Sequence, residues 1–131
     1  MTNEKTIYED LHFDIFKWKT DILPIKTDMQ FLFEVLDSKT FKTEKPQKSE
    51  HSYQLKEELK KLEVILKELD IRISKHENKL GSLPDCNSKS CNNNYYNAHK
   101  SIQSDLSYFI TKYNVLKSDI ISVRNSTFAP N

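Results

Sequence analysis

A chain of 131 residues with 37% hydrophobic content has the length of one domain and can bury a core without help from disulfides or a metal. Its charges cancel, 20 Lys and Arg against 19 Asp and Glu, so no field of one sign exists to attract a phosphate backbone, and nucleic acid is not an expected partner. One glycine and four prolines are too few for the turns of a sheet or a phosphate loop, and no apolar run approaches the roughly 18 residues a membrane span needs, so the expected class is all-α with no membrane partner.

The stretch from Met1 to Asp10 is polar and acidic, unlike the basic-then-apolar pattern of a secretory leader, and the expected location is cytoplasmic. From there Tyr8, Leu11, Ile15, Trp18, Ile22, Ile25, Met29, Leu32 and Leu36 alternate in steps of three and four, which predicts a helix over about 4–38, with Thr2 or Asn3 as its cap. Pro24 falls inside it, removes a backbone donor and clashes with the preceding turn, so a kink is expected near 21–24. This helix also carries Phe13, Phe16, Leu23 and Phe31 off the seam, with Phe13, Phe16, Thr20 and Leu23 forming a stripe on the far face. One buried seam cannot cover both faces. The second is expected to be a self-association surface for another copy or for another helical protein.

Residues 39–49, with Lys39, Lys42, Lys45, Pro46 and Lys48, read as a basic loop. A central helix over about 50–81, capped by Ser49 or Ser52, follows from Leu55, Leu59, Leu62, Leu66, Leu69, Ile73, His76, Leu80 and Leu83, a heptad alternation in which only His76 is not apolar. Its expected stop is Gly81 in a left-handed conformation, Leu83 folding back on the last turn, and Pro84 forbidding continuation. An Asn/Ser-rich loop over 82–94 holds Cys86 and Cys91, expected as reduced thiols. A third helix over about 94–124 repeats the alternation through Tyr95, His99, Ile102, Leu106, Phe109, Tyr113, Leu116, Ile120 and Val123. Three matching seams and two short connectors predict a three-helix antiparallel, up-down-up bundle with coiled-coil-like seams, a rod about 45 Å long.

In antiparallel neighbours, residues equally far from a turn lie at equal height. That relation sets His76 level with His99 across one connector and His12 level with His76 across the other. Three imidazoles facing one another would suit a divalent transition metal such as zinc, and Glu9, three residues before His12, would add a carboxylate on the same helical face. The plainer alternative is a neutral polar layer, hydrogen-bonded to tyrosines such as Tyr8, Tyr95 and Tyr96, that fixes register. No nucleophile and base stand at a catalytic spacing. The expected function is therefore a non-enzymatic, self-associating interaction module, with a small metal-binding bundle using His12, His76, His99 and Glu9 as the alternative.

Overall fold

Burial follows the three-and-four alternation on all three segments. In the computed structural model, which describes residues 4–38, 46–83 and 89–128, the elements are α1 (Glu4–Asp37), α2 (Pro46–Ser82) and α3 (Lys89–Phe128), with no strand among the described residues. Each helix contributes one stripe to a single core: Leu11, Ile15, Trp18, Ile22, Met29, Leu32 and Leu36 from α1, Leu55 through Leu80 from α2, and Tyr95 through Ile120 from α3. Ile15, Leu32, Leu59, Ile73 and Ile120 have no accessible surface. Each buried aliphatic side chain of this kind contributes about 1.5–3 kcal/mol relative to exposure, so the stripes supply the stability. Along α1 the seam thins at two positions, with Tyr8 near the N-terminal end at the border of exposure and Ile25, after Pro24, only partly buried.

Polar cross-links show how the helices lie. Between α1 and α2, Lys19 pairs with Glu77 at 3.0 Å, Lys26 with Asp70 at 2.6 Å and Asp37 with Lys56 at 2.5 Å, so the α2 partner retreats as α1 advances. Between α2 and α3, Arg72 reaches Asp105 at 2.8 Å. Between α1 and α3 the partners advance together: Asp14 meets His99, and Asp28 accepts a hydrogen bond from Tyr113 and an ion pair from Lys117 at 2.8 Å. The ion pairs on the bundle surface are largely exposed and each is worth about 0–1 kcal/mol, so they orient the helices more than they hold them.

The helix ends depart from expectation in three places. α2 begins at Pro46 rather than near 50, because proline's fixed φ suits a first turn and the amide it lacks would have been unpaired there; Lys48 and Ser49 therefore belong to the helix. α3 spans Lys89–Phe128 rather than 94–124, since no glycine or proline interrupts the chain between Pro84 and Pro130. Gly81 does not adopt a left-handed conformation: no glycine has positive φ, and α2 continues through it to Ser82. The stop is made instead by a tight turn at Leu83 and by the Ser82 hydroxyl, which donates to the Lys79 carbonyl at 3.0 Å and satisfies one of the last free acceptors. Pro24 lies within an uninterrupted α1. The expected caps Thr2 and Asn3, the loop residues 39–45 and Cys86 lie outside the described residues, as does the side chain of Cys91.

Gly81 thus occupies a helical site as a residue that gains nothing from its flexibility, and a methyl group there would meet open space. Gly81→Ala is expected to stabilise the protein by about 0.5–1 kcal/mol, read as a rise in the denaturant midpoint with unchanged slope. A destabilised variant would show that the turn at Leu83 needs the glycine.

Candidate functional site

Two of the three stripes carry a histidine where every other position is apolar, so the alternation that builds the core also drags two imidazoles into it. His76 on α2 is 3% exposed and His99 on α3 is 5% exposed. His76 Nε2 lies 2.9 Å from His99 Nδ1, and His99 Nε2 lies 3.0 Å from Asp14 Oδ2 on α1. A carboxylate only accepts, and with both rings neutral that sets the protons along the line. His99 donates from Nε2 to Asp14, which leaves a lone pair on its Nδ1, and His76 donates from Nε2 to that lone pair. Both rings are neutral in this arrangement, and among the described residues no buried side-chain polar atom is left without a partner.

Aromatic packing holds the line in place. The His76 ring stacks on Tyr95 with centroids 4.0 Å apart and planes 8° from parallel, and Trp18 lies 4.5 Å from His99 at a tilt of 41°. Tyr95 donates its hydroxyl to the His76 carbonyl at 3.3 Å, and burial pushes its phenol well above the ordinary tyrosine range. Burial first, and then the charges that His99 and Lys79 would place beside it, hold the His76 imidazole down to about 4. One edge of His76 borders a shallow groove between the last turns of α2 and the first turns of α3, with Lys79, Ser82 and Asn94 around it.

The expected layer is therefore assembled from a different set of residues. His76 and His99 come into direct contact, but His12 does not join them. It is exposed on the flank of α1, its ring parallel to Tyr8 at a centroid distance of 6.5 Å, in a shallow groove shared with Glu9, Phe13 and Phe16. The cause is helical phase: Leu11 takes the core position, and its neighbour is rotated by about 100° away from it. Asp14, on the other flank beside Ile15, reaches the layer instead. Three of the four ring nitrogens of the pair are occupied by hydrogen bonds within the line, and among the described residues no group of three or more His, Cys, Asp and Glu side chains is arranged to hold a metal ion. Of the residues offered as an alternative metal site, His12 and Glu9 lie on the exposed flank of α1 and His76 and His99 form, with Asp14, a hydrogen-bonded line through the core.

The other expected site residues lie on the outside. Phe13 is 65% exposed, Phe16 65%, Leu23 66% and Phe31 48%, all on α1 away from its buried stripe. No family model, no curated protein and no solved structure matches the chain.

The proton assignment gives a direct test. Nitrogen-15 spectra of the histidine side chains near pH 7.5 are expected to show His76 and His99 both protonated at Nε2 and bare at Nδ1. Asp14→Ala is expected to lower stability by about 1–2 kcal/mol, since it leaves the buried His99 N–H without its charged acceptor. An Nδ1–H tautomer on His99 in the wild type would break the line as drawn.

Proposed function

We propose that this chain is a non-enzymatic helical interaction module that associates with a second copy of itself through the outer face of α1. The observation that carries this reading is the exposure of Phe13, Phe16 and Leu23, each about two thirds open to solvent. With Thr20 and Thr27 they repeat the three-and-four alternation on the face opposite the core, the pattern of a second helical seam. A stripe of this kind gains about 1.5–3 kcal/mol for each large side chain that a partner covers. A second copy is favoured as that partner because charges of both signs border the stripe. Lys17 and Asp21, paired with each other at 2.9 Å, and Asp10 near the N-terminal end would let one face complement itself about a twofold axis.

The same reading takes the chain as one domain, an up-down-up antiparallel bundle with heptad seams and a bend at Pro24. The ordered cross-links between helices and the spacing of the buried positions support the antiparallel arrangement and the seams, and the bend rests on Pro24 lying inside α1. Balanced charge speaks against a nucleic-acid partner, and among the described residues no helix is long and apolar enough to cross a membrane, which accords with a cytoplasmic module.

Sedimentation velocity across a concentration series is expected to show a dimer or larger species. Phe16→Ser, and more so the double variant Phe13→Ser with Phe16→Ser, is expected to weaken association at least tenfold while leaving the melting temperature of the monomer unchanged, because neither side chain is in the core. A wild-type protein that stays monomeric at hundreds of micromolar would overturn the proposal.

A further inference from the structure

The histidine line sits close to one end of the bundle. Towards the start of α1, the end of α2 and the start of α3, the buried core beyond it among the described residues is Leu11, Leu80 and Tyr95, with Ile7, Leu83 and Tyr96 partly buried against them. In the other direction the apolar stripes continue through Met29, Leu62 and Phe109 to Leu36, Leu55 and Ile120. The two imidazoles and Asp14 thus join three helices at an end where, among the described residues, few apolar side chains lie beyond them.

We propose that the Asp14–His99–His76 line is an acid-released latch, which takes up one proton without moving and opens this end of the bundle when a second arrives.

The first step follows from the tautomers. If His76 moves its own proton from Nε2 to Nδ1, an added proton on His99 Nδ1 is donated to the freed His76 Nε2, and the resulting imidazolium faces the Asp14 carboxylate at 3.0 Å. Every hydrogen bond of the line survives. The second step has no such solution. With both rings protonated, an N–H stands on each side of a 2.9 Å gap that needs one lone pair, and two like charges meet in a buried site. The rings must part.

The surrounding groups do not relieve this. The titratable groups around the pair are Asp14 and Tyr8 on α1, Glu77 and Lys79 on α2, and Tyr95 and Tyr96 on α3. Glu77 is held by Lys19, Lys79 adds positive charge, and burial pushes the Tyr95 phenol up, so it stays uncharged. Asp14 is the one carboxylate, among the described residues, that contacts either ring. It contacts only His99.

The sign of the pH effect follows from linkage. The open form binds the His76 proton near the ordinary value of 6.5 and the closed form only near 4, so closure is at full strength above 6.5 and is lost progressively as pH falls from 6.5 towards 4.

Amide hydrogen exchange on the full chain, corrected for intrinsic rates, tests the latch at pH 7.5 and pH 4.5. The expected result is a loss of protection of at least about tenfold in residues 7–14, 76–83 and 92–99 on acidification, while 29–36, 55–66 and 109–120 keep theirs. His76→Leu with His99→Leu is expected to abolish the contrast between the two ends. Asp14→Asn keeps an oxygen to accept the His99 N–H but removes the charge that stabilises the first proton, and it is expected to raise the pH at which this end opens. Should the double variant not fold, the wild type and Asp14→Asn decide the matter. Equal loss at both ends, no loss by pH 4.5, or an opening pH unmoved by Asp14→Asn would each overturn it.

Discussion

None of the three helices can keep its apolar stripe from water alone, and their mutual burial is the constraint on which everything else rests. Isolated helices of this composition would be marginal, because propensity offers little beyond the cost of nucleation. Packed together, the stripes decide which face of each segment is inside and therefore what the remaining residues are free to do. Because the alternation on α2 and α3 does not pause at His76 and His99, the histidines are buried by their neighbours, Ile73, Leu80 and Ile102 among them, rather than by any preference of their own. The same rotation turns Phe13, Phe16 and Leu23 outward, since Leu11, Ile15, Trp18 and Ile22 have claimed the inner face of α1.

An apolar seam is poor at choosing its own register, because a slip by one heptad exchanges one leucine for another at little cost. The polar contacts between α1 and α3 supply that choice. Asp14 meets His99 and Asp28 meets Tyr113 with the same separation of 85 residues, so both pairs are satisfied by one alignment of the two helices and both are broken by any other. Burial raises the Asp28 carboxyl, but the hydrogen bonds from Lys117 and Tyr113 outweigh it and hold the group below the ordinary carboxylate range. A mispaired bundle would leave that charge without partners. A polar layer of this sort trades stability for uniqueness, as buried polar positions do in coiled coils.

How much of this was legible in the sequence depends on which physical rule was in force. The three helices and their buried residues follow from spacing alone, since hydrophobic burial is periodic wherever a helix is. The meeting of His76 with His99 was legible too, because both lie on seams and one short connector sets their relative height. His12 was misplaced on two counts: it points off the core face, and the ion pairs from Lys19 to Glu77 and from Lys26 to Asp70 set a register in which Trp18 rather than His12 lies beside His76. Asp14 was not legible because Glu9, Asp10 and Asp14 all lie within the height error of the layer, and only the rotation of α1 against α3 selects among them. Gly81 misled for another reason. A residue able to adopt a left-handed conformation is not obliged to, and the serine after it offered a cheaper way to end the helix.

Local departures from a pattern carry more information than the pattern itself, because something must compensate each one. This chain departs from its own rule in two directions, with polar side chains inside at His76 and His99 and apolar ones outside at Phe13, Phe16 and Leu23. The two are not far apart. Phe13 precedes Asp14 in the chain, and Phe16 lies within a turn of it, so one short stretch of α1 carries both the anchor of the histidine line and the most exposed aromatic side chains of the helix. The backbone of α1 is rigid over such a distance. A displacement of the α1 backbone at Asp14 therefore also carries Phe13 and Phe16 with it, so that on the proposed latch and the proposed association face the two features share one segment of helix.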